Sequence, residues 1–363
     1  MNGLGLYARL PFYYLYRRFG WPRMMPLSVV VSVSYRCNSR CATCDVWRKP
    51  NDDLTIDEWR RVFRSIGHAP YYLTFTGGEP FLRGDLVDLV RVAWEECQPS
   101  ILTIPTNGLL PKVIPQRVRE ILDAAPTAQL GINLSLDQLG VKHDRIRGVP
   151  GNWERAMQTW QGLKEITHPN LRLSLHTVVS KFNMQEIPTI YDGLRELAAD
   201  SYITEVAEER VELDTIGWQI TPSAEEYAPV ADFLVEKTKD KRFKGLAAVT
   251  QAFRGQYYQL TERILRQQRQ VIPCHAGWAS CQIAPDGDIW SCCVRAEPAG
   301  NLREVGFDFK KVWFSPEMDR LRGSIYRGEC ACPMANAAYT NMLLHPPTLL
   351  QVVKSLVSRT RRS

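Results

Sequence analysis

Residues 28–44 read SVVVSVSYRCNSRCATC. The first nine, 28–36, are dominated by β-branched and small residues and read as a buried strand. The next eight hold three cysteines, Cys37, Cys41 and Cys44. A loop at the carboxyl end of a first strand is where parallel α/β proteins place their active sites. Three thiols are one short of the four protein ligands that a structural metal site wants. Either a fourth ligand lies far off, or one metal position is left open.

Working outward, the pattern alternates short apolar runs with helical segments. TIDEWRRVFRSIG (55–67) predicts a helix with Thr55 as N-cap and Glu58 completing a capping box. Strands are expected at 71–77, 101–108, 130–137, 171–180 and near 201–210. Helices are expected at 86–97 and 152–167, and within 113–125 and 187–200. Six βα units imply a parallel sheet with helices outside it, joined by right-handed crossovers. The fold class is therefore α/β, an open or partial barrel. Residues 223–270 read as mostly helical. From Pro273 cysteine, glycine and proline become dense, which marks a second, small metal-stabilised unit. The expected divisions are 1–27, 28–215, 216–272, 273–340 and 341–363.

Of the 363 residues, 45% are hydrophobic, an ordinary globular balance. No charge-free stretch of 18 apolar residues predicts a membrane span, and Arg9, Pro11, Arg17 and Arg18 break any signal-peptide core. A cytoplasmic location is expected. There, ten cysteines argue for metal ligation before disulfides. The net charge is +6, yet residues 1–25 and 340–363 carry four basic residues each and no acids. The body is thus slightly acidic, which argues against a nucleic-acid surface.

Cys37, Cys41 and Cys44 suit zinc, with His68 as a fourth ligand, or a 4Fe–4S cluster with one iron free. The position in a large βα unit favours the cluster. Here the chain resembles the radical S-adenosylmethionine (SAM) superfamily. CNSRCATCDVW carries the CxxxCxxC spacing with Trp47 close behind. TFTGGEP (74–80), TNG (106–108) and SLDQLGVKHDRIRGVPGNW (135–153) stand in the family's order. Gln138 replaces the usual glycine after SLD. The resemblance covers about residues 28–210 and implies a partial (β/α)6 TIM barrel. It also implies reductive cleavage of SAM to a 5′-deoxyadenosyl radical, which takes a hydrogen atom from a substrate C–H bond. By that likeness, Cys37, Cys41 and Cys44 hold the cluster. Gly77, Gly78, Glu79 and Pro80 then meet the methionine end, with Thr106 and Asn107 beside them. Ser135 and Asp137 face the same pocket, and Arg147 pairs with the methionine carboxylate. His143 reads as a hydrogen-bonding residue before a catalytic base.

CHAGWASCQIAPDGDIWSCC (274–293) holds a tight-turn signal, APDG, between strand-like runs. With ECACP (329–333) it resembles the SPASM/twitch domains of some radical SAM enzymes. One auxiliary 4Fe–4S cluster on Cys274, Cys292, Cys330 and Cys332 is expected, with Cys281 as the rival ligand. Zinc is the alternative. Cys293, adjacent to Cys292 in a strand, should face the other way, and Cys97 reads as core.

Both tails interleave apolar or aromatic residues with arginine or lysine, and residues 349–357 have the spacing of an interfacial helix. Packing against the body is the alternative. Peripheral binding to an anionic membrane would favour a lipid, a lipid-linked sugar or another membrane-associated small molecule as substrate. A radical SAM peptide maturase is the competing reading, and a non-enzymatic metal scaffold a remote third. Glu205, Glu208, Glu209 and Arg210 could orient substrate. Flavodoxin or ferredoxin is the expected electron donor.

Overall fold

The computed structural model describes residues 3–240 and 245–360. Helix α1 (Gly3–Phe19) precedes six βα units. Their strands are β1 (Ser28–Ser32), β2 (Tyr72–Thr76), β3 (Ile101–Thr106), β4 (Gln129–Ser135), β5 (Leu171–Val179) and β6 (Ser201–Val206). The helices between them are α2 (Ile56–Ile66), α3 (Leu86–Cys97), α4 (Val113–Ala124), α5 (Gly140–Arg147), α6 (Asn152–Lys164) and α7 (Ile187–Arg195). After these come α8 (Ala224–Thr238), α9 (Gly245–Gln267), β7 (Ser280–Ile283), β8 (Asp288–Trp290) and β9 (Pro298–Asn301). The chain ends in α10 (Phe309–Trp313), α11 (Pro316–Tyr326), α12 (Ala335–Leu343) and α13 (Pro346–Thr360). Residues 361–363, part of the basic tail, lie outside the described residues.

The strands form one sheet in the order β6-β5-β4-β3-β2-β1-β7-β8-β9. All neighbours from β6 to β7 are parallel, and β8 and β9 add an antiparallel hairpin. The expected α/β partial barrel is what forms. The strands alternate: Val29, Val31, Leu73, Phe75 and Ile104 fill the core under the outer helices, while polar residues such as Thr74, Thr103, Asn133 and His176 face the barrel interior. The segment beyond Pro273, set apart by composition, joins the same sheet: Ser28 pairs with Ser280 and Val29 with Cys281.

Local signals hold where they are strong. Thr55 Oγ1 accepts from the Glu58 amide at 3.3 Å, and the Glu58 carboxylate accepts from the Thr55 amide at 2.7 Å, the expected box. On the outer side of β6, α9 satisfies the backbone: Arg254 donates to the Tyr202 carbonyl at 2.6 Å. The first tail packs. Tyr13 is fully buried with Leu27, Ala279 and Leu344, and its hydroxyl donates to the Met25 carbonyl at 2.7 Å. Leu27 and Ala279 immediately precede β1 and β7, so α1 lies across the amino ends of the strands. On α13, Leu350, Val353 and Val357 are exposed along one face. Among the described residues no helix is long and apolar enough to cross a membrane.

Candidate active site

At the carboxyl ends of the strands lies a cavity of about 340 Å³. Its wall brings together Cys37, Cys41, Cys44, Gly77, Gly78, Glu79, Thr106, Asn107, Ser135, Asp137 and Arg147. These come from the last residues of β3 and β4, the loops after β1 to β4, and α5. Pro80 stands behind the wall, buried at the start of a short 3-10 turn, Pro80–Leu82.

The glycines of this wall also serve the packing of the chain itself. The Gly78 amide donates to the Ser34 carbonyl, and the Glu79 amide to the Arg36 carbonyl, each at 2.8 Å. A Cβ on Gly77 would stand 2.2 Å from the Ser34 oxygen, and one on Gly78 2.2 Å from the Arg36 oxygen. Their missing side chains admit the chain's own backbone, the stretch that delivers Cys37. Glu79 is likewise engaged within the protein. Its carboxylate accepts from the Asn107 amide (2.7 Å), the Thr106 hydroxyl (2.9 Å) and the Phe81 amide (3.1 Å). Burial raises its pKa to about 7 against the pull of those donors. Glu79 therefore ties the loop after β2 to the loop after β3. Asn107 passes the tie on, its side-chain amide donating to Asn38 Oδ1 at 2.7 Å.

A second brace comes from α5, which the sequence does not announce. Its last carbonyls, Ile146 and Arg147, accept from the Ala42 and Arg40 amides at 2.8 and 2.9 Å. The cysteine loop thus satisfies a helix end that would otherwise be orphaned. Gly148 follows at φ +65°, and a Cβ there would meet the Arg40 oxygen at 2.1 Å. Trp47 lies under the Arg40 and Arg48 guanidiniums, 3.9 and 4.7 Å from its ring centre. Arg40 also donates to the Cys37 carbonyl at 2.9 Å.

Arg147 and Asp137, assigned separate ligands by resemblance, are each other's partners at 2.9 Å, both buried. Arg147 also reaches Cys41 Sγ at 3.8 Å, and its Nε has no partner. His143 is neutral: burial, then Arg147, hold it down at about 4. Its Nδ1 accepts from the Asp137 amide at 3.2 Å, so Nε2 carries the proton toward Asn152 Oδ1 at 3.1 Å. It sets the turn and is no base.

The wall facing the cysteines was only partly foreseen. Glu205, Glu208 and Arg210 line it, as do His176, Glu212, Met334 and Tyr339. Glu209 turns away, its carboxylate accepting from the Gly217 amide at 2.7 Å. The one available signal for His176 was a polar residue inside the apolar run LRLSLHTVV. Residues 208–213 stretch from β6 across the barrel mouth. Glu212 bonds Ser32 at the end of β1 and Gln282 on β7, and the Leu213 carbonyl accepts from the Asp45 amide at 2.9 Å. Glu208 is pushed up to about 8, chiefly by burial and against Arg210.

Cys274, Cys292 and Cys330 share one apolar cluster with Tyr16, Trp278 and Ile325. Cys274 and Cys330 bear electrostatically on Cys292, and Cys292 and Cys274 on Cys332, so the four expected thiols gather. Cys281 sits in the main core opposite Val29 and lines a small cavity with Cys292 and Cys293. Cys293 faces the other way, with Arg210 Nη1 3.6 Å from its sulfur, and Cys97 donates to the Phe63 carbonyl in the core.

These donors fit iron–sulfur clusters. Burial first of all raises Cys37 to about 11 and Cys44 to about 12, so both thiols must lose their protons to bind metal. Cys41 rises by burial too. Among the described residues no three His, Cys, Asp or Glu side chains converge on a single-ion site. The zinc alternative also loses its fourth ligand, because His68 lines a separate cavity with Arg9 and Tyr13 at the amino ends of the strands. The arrangement is three thiols around an open side, a glycine-braced loop and a buried arginine.

The chain belongs to the radical SAM superfamily and carries that group's SPASM domain. A family model for the radical SAM superfamily matches residues 31–194, and one for the SPASM iron–sulfur cluster-binding domain matches residues 274–333. It is an enzyme whose cofactors are SAM and 4Fe–4S clusters. An AdoMet-dependent heme synthase of Methanosarcina barkeri is 24% identical over 81% of this chain and 84% of its own. A PqqA peptide cyclase of Rhodopseudomonas palustris is 25% identical over 87% and 80%. Streptococcus suis SuiB bound to precursor peptide SuiA shares the fold, with TM-score 0.59 at 18% identity over 87% of this chain and 71% of that one.

Proposed function

We propose that this enzyme modifies a peptide by abstracting a hydrogen atom from one of its C–H bonds, assisted by an auxiliary 4Fe–4S cluster on Cys274, Cys292, Cys330 and Cys332. The observation that carries this reading is the wall opposite the cysteines. His176, Glu205, Glu208, Arg210 and Glu212 give it charge and hydrogen-bonding capacity, which suit the amides and side chains of a peptide. A polyprenyl or acyl chain would take water from those polar groups and offer them no hydrogen bond in return. The aromatic helix α1 adds to this. It lies across the amino ends of the strands, far from the cavity mouth, so a lipid held there would not reach the cysteine loop. A polycarboxylate such as a tetrapyrrole would meet a wall on which Arg210 and His176 already engage Glu212 and Glu205. The SuiA-bound SuiB structure and the PqqA peptide cyclase support the peptide class.

The chemistry supplied by bound SAM and its reduced cluster is hydrogen-atom abstraction by a 5′-deoxyadenosyl radical. The chain's own residues do the rest. Cys37, Cys41 and Cys44 hold the cluster and leave one side open. Glu79, Asn107 and the end of α5 keep that loop in place. Arg147, neutralised in part by Asp137, keeps a free Nε for an acceptor on SAM, and Ser135 lies at the end of β4 on the same wall. Glu205 and Glu208 orient the substrate, and the 208–213 segment keeps water out of the barrel mouth. A reduced flavodoxin or ferredoxin supplies the electron.

The test pairs reconstituted enzyme, SAM and reductant with short peptides encoded beside the gene, each perdeuterated at single residues. The expected result is deuterium in 5′-deoxyadenosine and a mass change in one peptide. Deuterium transfer from lipid extracts, with every peptide inert, would overturn the reading.

A further inference from the structure

On the side of the molecule covering the four-cysteine group, α1 and α11 bound an open groove of about 460 Å³. Arg17, Arg18, Arg23, Arg322 and Arg327 line it, and Asp319 is the acid among the lining residues. Asp319 pairs with both Arg23 and Arg322, and Glu329 pairs with Arg327 from the rim. Five guanidiniums therefore meet two carboxylates, and three positive charges are left over. Arg17 and Arg18 donate to neutral oxygens, the Cys274 carbonyl and the Tyr326 hydroxyl.

Tyr326 lines the groove, and Phe19 and Trp21 flank its lining residue Gly20 in the chain. Phe19, Trp21 and Tyr326 are 70%, 74% and 42% exposed. Exposed aromatic and arginine side chains around a concavity make the anchors of a protein–protein contact. Beneath the groove, Tyr16 and Trp278 pack in the same apolar cluster as Cys274, Cys292 and Cys330. Arg17 Nε reaches the Cys274 carbonyl at 2.8 Å. On the far side of the cysteines, Cys332 feels the Glu208 carboxylate, which lines the main cavity. The four thiols thus stand between the basic groove and the reaction chamber.

We propose that this groove docks an acidic one-electron carrier protein of the flavodoxin or ferredoxin class, and that the electron enters through the four-cysteine group. The transfer is simple in balance: the carrier is oxidised by one electron, the cluster held by these cysteines is reduced by one, and no bond is made or broken. A surplus of three positive charges complements an acidic carrier. The concave shape suits a protein protrusion better than the plane of a bilayer.

The test uses the iron-loaded enzyme and a fully reduced flavodoxin, with carrier oxidation followed by stopped-flow absorbance. Binding of the oxidised carrier is measured in parallel by calorimetry. Arg18→Glu with Arg327→Glu changes two exposed groove residues and spares Arg17, Arg23 and Arg322, which hold other groups in place. The control, Arg91→Glu with Arg119→Glu on α3 and α4, makes the same change in net charge elsewhere. Melting temperature and reduction by dithionite report on folding and on the clusters themselves. The expected result is a carrier rate lowered about tenfold or more at low salt in the groove variant, and weaker binding. The control should stay near wild type, dithionite reduction should be unchanged, and the wild-type rate should fall steeply with salt. Equal losses in groove and control variants, or a groove variant with the wild-type rate, would overturn the proposal. So would a groove variant that stops pelleting with phosphatidylglycerol vesicles while keeping its carrier rate, since that result assigns the groove to a membrane.

Discussion

Gly148 and Gly151 offer a matched pair of substitutions. Both have left-handed backbone, φ +65° and +69°, three residues apart. Nothing lies within 4 Å of a Cβ on Gly151, whereas a Cβ on Gly148 meets the Arg40 carbonyl oxygen at 2.1 Å. Alanine at either site costs about 1–2 kcal/mol for the left-handed conformation. Gly148→Ala must also push Arg40 away, which breaks the Arg40–Arg147 and Ala42–Ile146 backbone bonds. At about 0.5–1.5 kcal/mol each, that adds about 1–3 kcal/mol, a roughly 5- to 150-fold shift against the docked cysteine loop. The loss is local, because the four-cysteine group lies elsewhere. After anaerobic reconstitution, Gly148→Ala should lose about half its iron, the half that Cys37, Cys41 and Cys44 would hold as one of two 4Fe–4S clusters. SAM cleavage should fall with it. Gly151→Ala should keep both. Equal iron in the two variants would refute the bracing of the cysteine loop by α5. Iron lost equally from both clusters would instead point to global unfolding.

Arg147→Met strands Asp137 in the interior and should cost about 3–5 kcal/mol, with the double variant carrying Asp137→Asn recovering part of it in denaturant melts. Glu208 supplies a pH signature. Its folded-state constant of about 8 exceeds the ordinary 4.5, so the native state holds a proton the unfolded chain has lost. Stability should therefore fall as pH rises from about 5 to 8, and Glu208→Gln should flatten that part of the slope in metal-free protein; an unchanged slope would place the carboxyl in water. Cys281→Ala should leave the iron content of both clusters intact and lower the melting temperature slightly, by removal of a buried sulfur. Cys332→Ala should lose auxiliary iron, and retention of full iron would return Cys281 to the ligand set.

Strong local patterns made the barrel legible. The apolar runs of β1 to β6 and the Thr55–Glu58 box could be read directly, because each is decided by neighbours within a few residues. Helix α1 was hidden by Pro11, whose disruption is outweighed by burial of Tyr13 and Tyr16. Helix α5 was hidden because KHDRIR is polar and short, and its shape is held by Asn152 and the cysteine loop. The cavity residues were legible through their motifs, but their partners were not. Asp137 and Arg147 each looked available for a ligand, and only the folded chain shows that they meet. The same holds for Gly77 and Gly78, whose close neighbour is backbone from 34–36. Glu212 and Met334 left no local trace, since they reach the cavity by crossing from other elements.

The pairing of β7 with β1 has a consequence for how the enzyme can be divided. A chain cut within 216–272 would separate the SAM-binding barrel from its cysteine-rich end at what looks like a helical linker. The cut would also strip β1 of its β7 partner and leave a row of unsatisfied amides and carbonyls along an apolar edge strand. Exposed edges of that kind template pairing with other chains. The isolated barrel should therefore aggregate or swap strands, and the two cofactor-bearing parts are better regarded as one inheritable unit than as exchangeable modules.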